Sequence, residues 1–154
     1  MLNTACRRSI LAASLILLVV GCASSFHAER IGQPDFFLIG YWARETAGAS
    51  MLLSMPIGGP YPIRFSYSGC VANEVVHLTA KFENGFLLLS QPVTGYEGET
   101  YRKLALFQLD DKEVLVDESN MADFTLLVET GRDSKGQTWH KPADFGFTRL
   151  SVIP

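Results

Sequence analysis

The fold class is decided by the stretch VVHLTAKFENGFLLLS at residues 75–90. Every second residue from Val76 to Phe82 is apolar, and polar or small residues alternate with them, which is typical of a half-buried strand. Asn84-Gly85 then supplies two residues that tolerate the positive φ angles of a type I′ turn, and the chain returns from Phe86. The stretch therefore predicts an antiparallel hairpin.

The same alternation recurs on both sides of this hairpin, between short polar or glycine-containing turns. The predicted strands are residues 36–42, 51–55, 61–68, 75–82, 86–90, 101–109, 113–116, 124–128 and 144–152. Many short antiparallel strands predict a closed barrel or a sandwich, because both limit the exposed edges of a sheet. We expect an all-β fold, a small antiparallel up-and-down barrel of about eight strands, because most neighbouring strands are joined by hairpin-length turns. A β-sandwich is the alternative.

The first 21 residues have the three parts of a secretory signal. Arg7 and Arg8 give a basic start, and Ile10–Val20 is an apolar run of 11 residues relieved only by a serine. This run is shorter than the roughly 20 residues that a helix needs to span a bilayer. The small residue Gly21 precedes Cys22, as a signal peptidase requires.

Val19-Val20-Gly21-Cys22 resembles the lipobox of bacterial lipoproteins. The resemblance implies cleavage after Gly21, a diacylglyceryl group on the Cys22 thiol and acylation of the new amino group, with a chain such as palmitate. Two or three acyl chains make a stable membrane anchor, since each buried CH₂ contributes about 0.8 kcal/mol. Ala23 follows in place of the aspartate that favours inner-membrane retention, which implies the outer membrane, facing the periplasm.

These features predict a signal peptide at residues 1–21, a lipidated tether at 22–34 and a single β domain at 35–154. Removing the signal leaves 16 acidic and 11 basic residues, a net charge of −5 that argues against nucleic acid as a partner. Cys70 is then the remaining thiol, so an intramolecular disulfide is excluded and the hydrophobic core must hold the fold.

Gly40-Tyr41-Trp42 near the start of the domain, with Arg149 near its end, resembles the lipocalin and wider calycin signature. In that family the tryptophan crosses the barrel floor, and the late arginine stacks on the indole and closes the barrel. The resemblance implies that Gly40, Trp42 and Arg149 are structural. It also implies that the barrel binds a small apolar or amphipathic ligand.

A ligand pocket inside such a barrel would be lined by bulky apolar side chains. The candidates are Phe65, Tyr67, Leu78, Phe107 and Phe124, with Phe145 and Phe147 as further members. A set of this size either lines a pocket or fills the interior, since eight strands enclose room for side chains or for one small ligand. The sequence leaves both alternatives open.

Aromatic residues in loops predict a second kind of function. Tyr96 lies in one glycine-containing loop, and Trp139 and His140 lie in the longest late loop. Loops carry many binding surfaces, and exposed aromatic side chains are enriched there. The alternative function is therefore an envelope protein–protein interaction module, an inhibitor or assembly accessory, that uses its loop face.

The candidates for nucleophilic catalysis are Cys70 and His77, with His140 as an alternate base. Such chemistry needs an orienting third group and an oxyanion site, which the residues around Cys70 do not supply. Cys70 is therefore interpreted as a small buried hydrophobe. We predict no catalytic residue and a protein that is not an enzyme.

Metal and cofactor sites are not predicted either. The three histidines share no ligand spacing, and Met51 and Met55 are interpreted as core residues in preference to copper ligands. Five acidic residues crowd one hairpin without the alternating ligands of a calcium loop, so a solvated turn is expected. They are Asp110, Asp111, Glu113, Asp117 and Glu118.

Overall fold

The computed structural model describes residues 26–32, 38–69, 73–95 and 98–151. The predicted signal peptide, its cleavage at Gly21 and the lipidation of Cys22 lie outside the described residues, as do Cys70 and Tyr96. No helix within the described ranges is long and apolar enough to cross a membrane.

Nine strands and one α-helix make up most of the described part of the chain. The strands are β1 Ala28–Arg30, β2 Gly40–Arg44, β3 Ala49–Leu53, β4 Tyr61–Ser68, β5 Asn73–Glu83, β6 Phe86–Thr94, β7 Thr100–Leu109, β8 Lys112–Asp117 and β9 Phe147–Ser151. The helix α1 is Met121–Thr130, and short 3₁₀ helices cover Glu45–Ala47, Glu118–Asn120 and Pro142–Phe145.

Eight of these strands close into one antiparallel barrel, in the order β7-β6-β5-β4-β3-β2-β9-β8, with β8 pairing back to β7. This confirms the predicted barrel against the sandwich. The barrel has two unlike ends. The turn end carries residues 54–60, 84–85 and 110–111, which join β3 to β4, β5 to β6 and β7 to β8. The loop end carries residues 45–48, the β6–β7 connection and the long segment 118–146.

The predicted hairpin is confirmed. Glu83 pairs with Phe86 across the turn, and both turn residues have positive φ angles, 53° at Asn84 and 78° at Gly85. A type I′ turn needs this combination because its backbone twist matches that of the flanking strands. The local Asn-Gly signal therefore sets the register of β5 against β6.

The strand β1 lies inside the segment that was predicted as a tether. Ala28 pairs with Leu109 and Arg30 with Phe107, whereas β6 pairs with the earlier part of β7, residues 100–105. β1 thus covers the edge of β7 that β6 leaves open, which protects backbone groups that would otherwise be exposed. Residues 28–30 belong to the folded domain.

The barrel interior is filled by side chains from all around the wall. The largest are fully or almost fully buried: Trp42, Tyr101, Phe65, Phe147, Met51, Leu53, Leu87, Leu104, Leu106 and Leu115. Eight of these ten have no exposed surface at all, so solvent does not reach them. Close packing of this kind, rather than a disulfide, supplies the stability of the domain.

The segment 124–128 was predicted as a strand, and that prediction is wrong. These residues lie in α1, which packs Phe124 and Val128 against the outer face of β7 and β8. Met121, Phe124 and Val128 follow helical spacing, but Phe124, Leu126 and Val128 also alternate, so a short apolar run fits both periods. The helix ends at Gly131, whose φ of 68° allows its N–H to reach the Leu127 carbonyl.

Two further predictions are corrected near this helix. The last strand begins at Phe147 and not at residue 144, because Pro142–Phe145 forms a 3₁₀ helix in which Asp144 accepts a hydrogen bond from the Lys141 N–H. Asp117 is buried rather than solvated. Its carboxylate accepts the N–H groups of Arg102 and Lys103, at 2.9 and 3.2 Å, and so joins the ends of β7 and β8.

Barrel closure rests on the contact between β2 and β9. Trp42 of β2 and Arg149 of β9 lie opposite each other in the antiparallel register. The Arg149 guanidinium lies 4.8 Å from the centroid of the Trp42 ring. The indole N–H donates to the Leu38 carbonyl at 3.1 Å, and Arg149 forms an ion pair with Glu113 of β8 at 2.6 Å. The arginine therefore links the three strands at the closing seam. The register of β2 against β9 shifts between Tyr41 and Trp42, close to Gly40, and a glycine in a strand is typical of such a bulge.

Trp42→Ala should lower the free energy of unfolding by about 3–5 kcal/mol, because the fully buried indole leaves a large cavity. Tyr41→Ala, on the outward face of the same strand, is the matched control and should cost less than about 1 kcal/mol. Denaturant unfolding of the domain measures both. A loss below about 1 kcal/mol for Trp42→Ala would show that closure does not depend on the indole.

Candidate functional site at the loop end

The five residues predicted to line a ligand pocket do not lie together. Phe65 and Leu78 point into the filled interior, and Tyr67 is half-buried against the same cluster. Phe107 and Phe124 lie outside the barrel wall, where their ring centroids are 4.7 Å apart. Strand alternation explains Phe107, since its neighbour Leu106 takes the inward direction.

A polar cleft of about 380 Å³ opens at the loop end of the barrel. Its walls come from the end of β2, the β6–β7 connection and the segment that joins β8 to β9. The chemically distinctive side chains around it are Arg44, Glu99, Asp133, Trp139, His140 and Asp144. Segments far apart in sequence are brought together here because the closed barrel places their strand ends on one rim.

Beneath the cleft lies a hydrogen-bonded group of three side chains, of which Arg44 and Glu99 line the cleft. Arg44 is buried and binds Glu99 through both terminal nitrogens, at 2.6 and 2.9 Å. The Tyr101 hydroxyl donates to Glu99 at 2.5 Å and accepts from Arg44 at 3.4 Å. Burial of Tyr101 and its hydrogen bond to Glu99 raise the pKa of this hydroxyl well above its ordinary value of 10.0. The group seals the barrel interior beneath the cleft.

The loop on one side of the cleft is held in shape by a buried carboxylate. Asp133 is 6% exposed, and its Oδ1 accepts the N–H groups of Lys135 and Gln137 at 2.9 and 2.8 Å. Its backbone N–H donates to the Gln137 carbonyl at 2.9 Å. This arrangement closes a tight turn and fixes the loop before Trp139, so that little conformational freedom remains to be lost on binding.

Trp139 and His140 form a stacked pair at the rim. Their ring centroids are 3.7 Å apart with an interplanar angle of 33°, and Phe145 meets His140 edge-on at 5.6 Å. His140 lies between two carboxylates, with its ring nitrogens 3.8 Å from Asp133 and from Asp144. Trp139 remains 68% exposed. One face of a large aromatic side chain is thus presented to solvent on a rigid support.

The side chains that line the cleft give it a net negative charge. Two basic and four acidic side chains line it, a net charge of −2 with His140 neutral. A basic or neutral group is therefore favoured in the cleft over an anion. No group of three or more histidine, cysteine, aspartate or glutamate residues within the described ranges is arranged to hold a metal ion.

The structure places the other candidate residues apart from this cleft. His77 is exposed on β5, at the position paired with Arg64 of β4, and Asp110 and Asp111 are exposed in the turn at the opposite end. Met51 is a core residue as predicted, but Met55 is 56% exposed.

Sequence reasoning missed Arg44, Glu99 and Asp133. One signal could have identified Arg44: it is two residues after Trp42 on the same strand, so alternation places it on the inward face. A charged residue on the inward face of a barrel strand needs a partner, because a lone buried charge is strongly unfavourable. Glu99 and Asp133 had no comparable signal, since both lie in irregular segments.

Asp133→Ala should loosen the loop, because two backbone N–H groups lose a buried acceptor. We expect a loss of about 1–3 kcal/mol in the free energy of unfolding and at least about tenfold faster exchange of the Lys135 and Gln137 amide protons. Ser134→Ala, an exposed neighbour, is the control and should change neither quantity. Hydrogen exchange followed by NMR makes the comparison, and unchanged protection of both amides in Asp133→Ala would contradict this role.

Tyr101→Phe should change how stability depends on alkaline pH. Because the pKa of Tyr101 is raised on folding, the folded state keeps its proton above pH 10.0, where the unfolded chain loses it. The contribution of Tyr101 to stability is therefore constant below that pH and falls above it. The variant should lack this part of the decline, which amounts to at most about 1.4 kcal/mol per pH unit. Unfolding measured from pH 8 to 12 tests this, with Tyr41→Phe as control. Identical alkaline slopes in Tyr101→Phe and wild type would contradict it.

No protein-family model matches the chain, no curated protein matches it, and no solved structure matches it.

Proposed function

We propose that this protein is a lipid-anchored component of the bacterial cell envelope whose barrel domain binds a protein partner through its loop end. The observation that carries the binding proposal is Trp139, 68% exposed, stacked on His140 at the rim of the acidic cleft. The proposal places the function on the rim of the barrel rather than in its interior.

The anchor is supported by the sequence alone. Val19-Val20-Gly21-Cys22 follows an apolar run of signal-peptide length and resembles a lipobox, with Cys22 as the acylated residue. Ala23 favours the outer membrane, with the domain in the periplasm. The described chain begins at Phe26, so the folded domain starts within a few residues of the proposed lipid.

The lipocalin resemblance led us to expect a small apolar ligand inside the barrel. The filled interior supports that function less well than the loop end supports a protein partner. Trp42, Tyr101 and Met51 cross the space that such a ligand would occupy, and none of them has exposed surface. A ligand would have to displace these side chains and break the close packing of the core. The Arg44–Glu99 pair would also stand in its way at the loop end.

The loop end has the features of a protein contact. Tryptophan is among the residues that contribute most at interfaces, especially next to a pocket from which water can be excluded. The loop is already ordered by Asp133, so binding costs little conformational entropy. Because the cleft has a net charge of −2, the partner segment we expect carries lysine or arginine.

Site-specific photo-cross-linking in growing cells tests the binding proposal. A photoreactive amino acid at Ser134 or Gln137, both on the cleft wall, should yield a discrete protein adduct. The same group at Val75, on the outer wall of the barrel, should yield none. Trp139→Ala, combined with the probe at Gln137, should reduce the adduct at least about tenfold, since interface tryptophans commonly contribute more than 1.4 kcal/mol.

Three results would argue against this partner surface. They are no adduct at either cleft position, equal adducts at Val75 and at the cleft, or an adduct that Trp139→Ala leaves unchanged. The Trp139→Ala variant is informative because the side chain is largely exposed and its loss should not unfold the domain.

Cys22→Ser tests the anchor separately. We expect the variant to keep its signal peptide and to lack acyl chains, because serine has no thiol to form the thioether. Mass spectrometry of the purified protein should show the unprocessed mass, whereas the wild-type chain should lack residues 1–21 and carry added acyl mass. Normal processing of Cys22→Ser, with unchanged membrane fractionation, would refute the lipobox assignment.

A further inference from the structure

We propose that the turn end of the barrel rests on the lipid bilayer, and that the loop Ser54–Pro60 inserts Met55 and Ile57 into its surface. This inference rests on the proposed acylation of Cys22, and it adds an orientation and a second membrane contact that the anchor alone does not specify. The occupant of this exposed apolar surface is thus the membrane that carries the protein.

The first observation is where the described chain begins. Phe26 packs against the outer core, and His27 is bound to Asp110 in both directions: its N–H donates to the Asp110 carboxylate at 3.1 Å, and its carbonyl accepts the Asp110 N–H at 2.9 Å. Asp110 lies in the β7–β8 turn, so the chain enters at the turn end. Phe26 is four positions after Cys22, and a chain of that length reaches at most about 14 Å. An acylated Cys22 therefore brings the turn end to the membrane.

The second observation is the character of the β3–β4 loop at the same end. It reads Ser54-Met55-Pro56-Ile57-Gly58-Gly59-Pro60 and contains no charged residue. Ile57 is 97% exposed and Met55 56% exposed, so both large apolar side chains of this loop lie in solvent. Such exposure is unfavourable in water, and apolar residues grouped at a loop tip mark a contact with protein or membrane.

The two contacts lie on opposite sides of the barrel. In the strand order, β4 is three steps from β7 in one direction, and β3 is four steps away in the other. Lipid chains beside β7 and an inserted loop beside β3 and β4 would support the rim at two separated points. The barrel axis would then be roughly perpendicular to the membrane plane, and the cleft beside Trp139 would face away from the membrane.

The charges around this end indicate which kind of lipid contact forms. Asp110, Asp111 and Lys112 are exposed at the β7–β8 turn, and Lys81 is paired with Glu83 beside the β5–β6 turn. Acidic and basic side chains nearly balance at this end and the β3–β4 loop has none, so we expect the contact to come from apolar insertion and not from attraction to anionic headgroups. It should therefore form on uncharged phosphatidylcholine and should be insensitive to salt.

Fluorescence quenching in vesicles tests the proposal on the acylated protein. The Ile57→Trp variant is purified from membranes and reconstituted into phosphatidylcholine vesicles. The fluorescence of the added tryptophan should then have its maximum at a shorter wavelength than it has in detergent-free buffer. Brominated acyl chains should quench about half or more of the added emission, because an inserted side chain lies about 5–10 Å deep. Ser134→Trp, at the loop end, is the matched control and should show no quenching beyond that of the wild-type protein. Quenching of the added emission in Ile57→Trp should be the same in low and high salt.

Three other outcomes would overturn the proposal, and each identifies the step that fails. An acylated Ile57→Trp protein whose added emission is unquenched, or quenched equally in Ser134→Trp, shows that the turn end does not face the lipid. Quenching abolished by high salt shows an electrostatic contact instead of insertion. A mass without acyl chains in the same preparations refutes the anchor itself, and the orientation with it, and so separates the two failures.

Discussion

The structure depends on the closing seam, where the last strand enters between β2 and β8. Trp42 fills the interior at this point, and Arg149 stacks on it while pairing with Glu113 of the neighbouring strand. A barrel without this seam would be an open sheet with two long edges, which is prone to pair with other chains. The pairing of β2 with β9 joins residues more than 100 positions apart, so closure adds contacts of high sequence separation, which slow folding.

A filled interior decides where function can reside. Close packing around Trp42, Met51 and Tyr101 leaves the barrel as a rigid support, and the Arg44–Glu99 pair seals its loop end. What remains available is the rim at each end. The loop end is polar and acidic and carries an exposed tryptophan, whereas the turn end carries the start of the described chain and an uncharged apolar loop.

The two ends together suggest one arrangement. A short link from Cys22 and an inserted loop would hold one end at the membrane, and the cleft beside Trp139 would face outward. The buried carboxylates Asp117 and Asp133 fit this division, because each fixes a segment at the loop end by accepting backbone N–H groups. Both replace hydrogen bonds that regular secondary structure does not provide there.

The sequence by itself determined the features that depend on local chemistry, namely the Asn84-Gly85 turn and the alternating strands of an all-β fold; it favoured a barrel, and the pairing of β8 with β7 and of β9 with β2 decided against a sandwich. It also indicated Trp42 and Arg149 as partners. It did not determine α1, because Phe124, Leu126 and Val128 fit a strand as well as a helix, and only the apolar outer face of β7 and β8 selects the helix. Nor did it separate Phe65 from Phe107, which alternation directs to opposite sides of the wall. The cleft was decided by tertiary structure alone, because closure of the barrel brings Arg44, Glu99 and His140 to one rim from segments that share no local signal.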